Sequence, residues 1–324
     1  MLGAGVLAAG PLLLSPSAPA GPPHGHGHHA VGTPPRGHVP APERTARRVA
    51  TTDASGWKER LRPSLAALAT SLPDVYTRGC HADFPVTAVT VCTDGDHAAR
   101  TTVLTIGDSH GANWQPAMAS LGTREHWRSL SATKSACPVW DVPTTAASVR
   151  GRYVACQTWR HNAFALAVRL RPTVVILHSA VPWNRMLDAQ GRPVEGEGNR
   201  AAAFTRAVEA SVAAVRPSGA VVVAMQDAPG VPYPVEPCLE AAAEPTTCTF
   251  PSLIGSTNRR VFGQVAAAAG AVVVDPYPAV CPAARCPVVV GDIVVYRGGG
   301  HLTVPYVLRE RPWVRSWLEP LLRR

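Results

Sequence analysis

Lysine is almost missing from this chain of 324 residues: only Lys58 and Lys134 carry it, so nearly all 31 basic residues are arginines. Basic residues exceed acidic ones by 31 − 22 = 9. A nucleic-acid binder gathers that excess into one stripe with interleaved aromatics, whereas these arginines are scattered, so no nucleic-acid partner is expected. Loose attraction to acidic glycans or an anionic surface suits the charge better. There is no CxxC spacing, which argues against zinc. A glycine-rich dinucleotide fingerprint, a P-loop and spaced metal ligands are also lacking, so neither a cofactor nor a metal is indicated. After the first residues no run of 18 apolar residues occurs, and the body of the chain is expected to be soluble.

What is present is a hydrophobic fraction of 46% and eight cysteines. The length suits one large domain or two modest ones. The cysteines fall near one another as Cys80 and Cys92, Cys137 and Cys156, Cys238 and Cys248, and Cys281 and Cys286. An even count without CxxC suggests disulfides in an oxidising compartment. Neighbour pairing is the preferred connectivity, though spacing alone does not fix it.

The N-terminus points the same way. "MLGAGVLAAGPLLL" followed by Ala18-Pro19-Ala20 makes residues 1–20 a signal-like segment or the residual end of a transmembrane helix. Either places the body outside the cytoplasm, secreted or tethered on the cell-surface side. Residues 21–55 form a Pro/Gly/His-rich linker, expected to be disordered. Its "PPHGHGHH" offers imidazoles, but the intervening glycines leave them unorganised for metal. Residues 56–324 make up the domain, with a core at 75–323. "WKERLRPSLAALATSLPD" reads as a short helix up to Pro73.

From residue 101 apolar runs alternate with helical spacing. "TTVLTIG", "RSLSAT", "RPTVVILH", "GAVVVAM" and "AVVVD" read as strands. Segments 111–122, 152–170, 199–215, 256–269 and 304–322 read as helices. Near-continuous Val/Ile strands between amphipathic helices predict an α/β fold: a three-layer, doubly wound, flavodoxin-like parallel sheet, here disulfide-bonded.

In such sheets the functional crevice lies beyond the carboxyl ends of the strands. "LTIGDSHG" (residues 104–111) sits there, between the first strong strand and a helix. A serine hydroxyl is a poor nucleophile until a base takes its proton. Ser109 opens the helix, so its N–H has no intrahelical partner and can face a developing oxyanion. The plainer reading is that Asp108 and Ser109 cap the helix. A base is offered far downstream in "VVYRGGGHLTVPYVLRERPW", where His301 precedes a helix capped by Thr303.

The pairing of "GDSH…W" with a late "YR…HLT" resembles the SGNH-hydrolase superfamily. More closely it resembles the extracytoplasmic SGNH domain associated with acyltransferase-3 proteins that O-acylate cell-surface glycans. The resemblance covers roughly residues 75–323. It includes Thr133-Lys134-Ser135-Ala136-Cys137-Pro138, Cys156 with Trp159, "PCLE" at 237–240, and "CPAARCPVVVGDIVVYR". It implies an esterase-like site in which Ser109 attacks an acyl carbonyl and His301 is general base, then acid. Oxyanion donors would come from Ser109 N–H and from loops 134–137 and 178–184, with Ser135 the chosen second donor and Asp108 and Trp183 assigned to the oxyanion and pocket region. Asn184 is a further pocket candidate, because "HSAVPWN" replaces the family's "GxND".

One departure stands out. The family's DxxH places an aspartate three residues before the histidine, and Gly298 stands there, with residues 298–300 all glycine. Losing that acid costs a serine protease about 10⁴-fold in turnover. A backbone carbonyl, Asp275 or Asp292 are the candidate surrogates. His110 is read as packing or touching substrate, Lys134 as attracting an anion or simply solvated, and Trp140, Trp159 and Trp183 as core more readily than sugar platform. The chain is expected to be a monomeric, serine-dependent O-acyltransferase or acetylesterase. It would act on cell-surface glycans, take an acyl donor, and work beside a membrane-embedded acyltransferase. The alternatives are a degenerate glycan-binding or scaffolding module, or an unrelated secreted domain with a capping GDSH.

Overall fold

The long apolar strands set the architecture. The structure, a computed structural model, describes residues 56–253, 255–298 and 300–323. The segment and linker expected over residues 1–55 lie outside the described residues.

Strands β1 (His81–Ala82) and β2 (Cys92–Gly95) come first. β3 (Thr102–Gly107) leads into α1 (Ser109–Asn113) and α2 (Gln115–Arg124), and β4 (Arg128–Lys134) into α3 (Val154–Leu170). β5 (Val174–His178) precedes α4 (Glu197–Val215), and β6 (Val221–Met225) precedes α5 (Val235–Ala241), β7 (Phe250–Pro251) and α6 (Thr257–Ala268). β8 (Val272–Val274) and α7 (Tyr277–Val280) follow. Then come β9 (Arg285–Cys286), the hairpins β10 (Val289–Val290) with β11 (Ile293–Val294) and β12 (Tyr296–Arg297) with β13 (His301–Leu302), and finally α8 (Val304–Arg309) and α9 (Arg311–Leu322).

The main sheet runs β1-β4-β3-β5-β6-β8, with β2 also on β4. Every pairing in it is parallel except β2 with β4. The strand order reverses at β3, so the crevice opens at the carboxyl ends of β3, β4 and β5.

Period-2 alternation is hidden inside the continuous apolar runs. Val103, Ile176, Val223 and Val274 join one buried cluster with Met118, Val307, Trp313 and Trp317 from α2, α8 and α9. Leu104, Leu177, Ala224 and Val273 join the other with Trp159, Phe204, Val208 and Phe262 from α3, α4 and α6. Successive side chains point to opposite faces, so a strand covered on both faces has no polar side to show. The three-layer α/β/α class is thus realised.

Three helix expectations are corrected, each by proline. Only a 3-10 turn, Leu65–Ala67, forms between Pro63 and Pro73. The helix expected at 111–122 starts at Ser109 and divides at Trp114, because Pro116 has no N–H to offer Ala112. The single helix expected at 304–322 divides at Glu310. Pro312 cannot reach back to Leu308, whose carbonyl accepts from Arg311 Nε at 2.7 Å instead.

All eight cysteines are paired with neighbours: Cys80–Cys92, Cys137–Cys156, Cys238–Cys248 and Cys281–Cys286. The first ties β1 to β2 across the edge of β4, and the second ties the loop after β4 to α3. No described helix is long and apolar enough to cross a membrane.

Candidate active site

The turn after β3 is shaped by a neighbour's backbone. A Cβ on Gly107 would lie 1.8 Å from the carbonyl oxygen of His178 on β5, and one on Gly111 would lie 2.7 Å from it. No side chain fits there, so both glycines serve the close approach of β3–α1 to β5. Asp108 caps α1: its carboxylate accepts from His110 N–H at 2.9 Å and from Ala180 N–H at 3.1 Å. It is 1% exposed and faces inward, which removes it from any pocket wall. Burial pushes its carboxyl up to about 6, against the pull of His110.

Ser109 Oγ lies 2.8 Å from His301 Nε2, across 192 residues of sequence. His301 Nδ1 lies 2.9 Å from the carbonyl oxygen of Gly298. A carbonyl can only accept, so Nδ1 holds the proton of the neutral ring and Nε2 presents a lone pair to the serine hydroxyl. The two segments are stapled by the buried Asn113. With its amide turned to suit both neighbours, it donates to Ser109 carbonyl and accepts from Leu302 N–H, each at 3.2 Å. Burial, and then the charge on His110, push the His301 imidazole down to about 4.

His110 forms a second pair. Its Nδ1 lies 2.8 Å from Asp227 Oδ1, just past the end of β6, and its ring centroid lies 4.7 Å from that of His301. Burial alone would strip its proton. The Asp227 carboxylate, with help from Asp108, outweighs burial and holds the imidazolium up to about 9. Asp227 stays below the ordinary carboxylate range, because His110 overcomes the effect of its burial.

Ser135 sits on β4's continuation, two residues past the Thr133 that pairs with Gly107, as Ser109 sits two past Gly107. Its N–H donates to Ala82 carbonyl at 2.9 Å, so its backbone is occupied and only Oγ can serve a ligand. That Oγ lies 3.1 Å from His81 Nε2, and His81 Nδ1 lies 2.9 Å from Thr133 Oγ1. Burial, and then His301, push His81 down to about 4, so it is neutral and can hold the Ser135 hydroxyl.

Other expected residues lie elsewhere. Asp275 pairs with Arg259, and Asp292 lies 3.8 Å from Arg60 Nε, so neither acid orients His301. Lys134 is neither solvated nor offered to an anion. It is 0% exposed and donates to the carbonyls of Asp83, Phe84 and Val86 at 2.5, 2.9 and 2.7 Å. Trp140 and Trp159 are fully buried, and Trp183 packs edge-on against Phe204 at 5.9 Å. Asn184 is exposed. Among the described residues no group of three or more His, Cys, Asp or Glu side chains could hold a metal ion.

A serine at a strand-to-helix turn, met by a histidine from a distant hairpin at the rim of a doubly wound sheet, defines a serine–histidine α/β domain. The chain belongs to the family of SGNH domains fused to AT3 domains, whose model matches residues 79–313. It is similar to the periplasmic domain of the lipopolysaccharide acetyltransferase of Salmonella ser. Paratyphi A. That likeness has a TM-score of 0.49 and 15% identity, over 85% of this chain and 98% of that one. It is also similar to TesA, with a TM-score of 0.40 and 17% identity, over 68% of this chain and 99% of that one. No curated protein sequence matches it.

Proposed function

We propose that the chain is an extracytoplasmic serine O-acyltransferase or acetylesterase acting on cell-surface glycans through an acyl-Ser109 intermediate. Membership of a family of SGNH domains fused to AT3 domains supports an acyl-transfer or hydrolase role and a membrane-embedded acyltransferase as partner. Four disulfides support an oxidising compartment.

One observation carries the reading: Ser109 Oγ, His301 Nε2, His301 Nδ1 and Gly298 O form an unbroken hydrogen-bonded line. His301 takes the Ser109 proton as Oγ adds to the acyl carbonyl. The developing oxyanion is met by Ser109 N–H and the Ser135 hydroxyl, which His81 orients. The tetrahedral adduct collapses, His301 gives its proton to the leaving alkoxide, and the acyl group rests on Ser109. A sugar hydroxyl or water then attacks with His301 as base, releasing the ester or the acid. Gly298 carbonyl fixes the tautomer, which the family's aspartate would otherwise do.

The test is intact-mass analysis after brief exposure to p-nitrophenyl acetate and an acid quench. One acetyl group per chain, mapped to Ser109 and missing in Ser109→Ala, is the expected result. Acetyl found only on other residues would remove the intermediate and leave the glycan-binding module.

A further inference from the structure

Two serine–histidine pairs stand at the ends of adjacent strands, Ser109 with His301 and Ser135 with His81, and the group behind each imidazole differs. Behind His301 is the carbonyl of Gly298, which only accepts. Behind His81 is the hydroxyl of Thr133, 2.9 Å from Nδ1, which can donate or accept. The direction of that one hydrogen bond decides which nitrogen of His81 keeps the proton, and so what the Ser135 hydroxyl can do.

The count of buried donors fixes the direction. Thr133 is 0% exposed, and among the described residues its hydroxyl has one partner, His81. Its methyl group faces α1: a Cβ placed on Gly111 would lie 3.9 Å from Thr133 Cγ2. If Nδ1 carried the proton, Thr133 would accept it, and its own O–H would be a buried donor without a partner, which is costly. If Thr133 donates to Nδ1 instead, Nε2 carries the proton and donates to Ser135 Oγ, 3.1 Å away. Ser135 is only half-buried, so its own O–H is left free to point into the crevice. Every buried donor of the chain Thr133, His81, Ser135 is then satisfied, and one hydrogen remains to be given.

The imidazole is also held in place. Tyr76 lies against it with ring centroids 4.1 Å apart. Cys80 before it is bridged to Cys92, and Ala82 after it accepts from Ser135 N–H at 2.9 Å. Lys134 grips the next carbonyls, those of Asp83, Phe84 and Val86. The backbone on both sides of His81 is therefore pinned to β2 or to the end of β4.

We infer that Thr133 is a positioning residue: its hydroxyl donates to His81 Nδ1, fixes the Nε2–H tautomer, and so makes Ser135 a hydrogen-bond donor and not a second nucleophile. The two histidines are thus set in opposite tautomers. One draws a proton from its serine, and the other leaves its serine a proton to give. The tautomer follows from the hydrogen-bond count alone; its catalytic use, donation to the oxyanion, rests on the function proposed above.

The first measurement is the pair of His81 ring-nitrogen shifts in the full chain near neutral pH. They are read from long-range proton–nitrogen correlation spectra and assigned by their loss in His81→Gln. A bare Nδ1 and a protonated Nε2 are expected; a protonated Nδ1 overturns the inference whether or not the chain is active. Thr133→Val keeps the shape and removes the hydroxyl, so it should mix or reverse the two forms, and Thr133→Ser should restore the wild-type pattern. A Thr133→Val spectrum like that of wild type overturns the role of Thr133. If Thr133→Val does not fold, the wild-type spectrum decides alone. The second measurement is kcat/KM for p-nitrophenyl acetate. Ser135→Ala should cost on the order of 10²-fold, as loss of an oxyanion donor does, and Thr133→Val about tenfold, carried by kcat with KM little changed. In a chain already carrying Ser135→Ala, Thr133→Val should cost nothing further, because the hydroxyl it governs is gone. Equal losses in both backgrounds would mean packing alone and overturn the catalytic use, and fluorophosphonate on Ser135 in Ser109→Ala would show a nucleophile where a donor is expected. Labelling of wild type keeps the two proposals apart. Ser109 unlabelled beside a bare His81 Nδ1 removes the reaction and keeps the tautomer; Ser109 labelled beside a protonated Nδ1 does the reverse.

Discussion

Two imidazoles stand 4.7 Å apart at the rim of the sheet and are anchored in opposite ways. His301 leans on a neutral carbonyl, that of Gly298, and is pushed down to about 4 by burial and by its neighbour's charge. His110 leans on a carboxylate, that of Asp227, and is held up to about 9 in spite of its burial. The molecule has not lost a histidine-bound acid; it carries one on the adjacent ring. A carbonyl fixes a tautomer as well as a carboxylate does but stabilises an imidazolium far less. His301 is therefore a base that stays neutral over a wide pH range, beside an ion pair that discourages its protonation.

The largest effect that would break this comparison comes from the dyad. Ser109→Ala and His301→Ala should each lower kcat/KM for p-nitrophenyl acetate by about 10⁴-fold, and the double variant should be no worse, because residues acting as a unit are not additive. A double variant that loses the product of the two single losses would mean that the side chains act separately.

The pH profile is the next test. A base works as the neutral imidazole, which His301 is above its depressed value, so kcat/KM should be flat from pH 5 to 7 and fall as pH drops through about 4. Asp227→Asn should let His110 lose its proton and relieve the push on His301. Burial, the largest cause, persists, and the substitution also removes the smaller pull of Asp227 that raises His301, so the acid limb should move upward only modestly, with a loss of about twofold at pH 5. An acid limb unmoved by Asp227→Asn would show that the two rings do not communicate.

A comparably small effect is expected at Gly298. A Cβ there meets no atom within 4 Å, so Gly298→Asp is sterically free. With Nδ1 already held by the Gly298 carbonyl, kcat/KM should change by about threefold or less, against the 10⁴-fold at stake in a triad. A rise of 100-fold or more would show that the carbonyl is a poor substitute.

Much of this was legible in the sequence, for physical reasons. Unbroken apolar runs such as that of β5 announce a sheet covered on both faces, and "GDSH" after such a run places Ser109 at the crevice. His301 was visible in the sequence because it stands between a run of three glycines and a helix cap, although the structure puts it at the start of β13 rather than in the loop expected. What stayed hidden depends on long-range register. Asp227 follows β6 by two residues with nothing local to mark it, and it meets His110 only because β6 and β3 end at the same rim. His81 carries no signal apart from Cys80 beside it. Gly298 illustrates a different limit: its lack of a side chain says that an acid is missing, while its carbonyl, whose direction no sequence displays, supplies the hydrogen bond. The burial of Lys134 has no local signal either: a lysine at the end of a strand looks solvated, yet three carbonyls surround it. The helix breaks at Trp114 and Glu310 were available from Pro116 and Pro312 and were overridden by hydrophobic spacing.

The most direct measurement is the rate at which a fluorophosphonate modifies Ser109, followed by intact mass in wild type and in His301→Ala. The account predicts one adduct per chain on Ser109, formed on the order of 10³-fold more slowly, or worse, without the imidazole. Equal rates in the two proteins, or no adduct on Ser109, would contradict it.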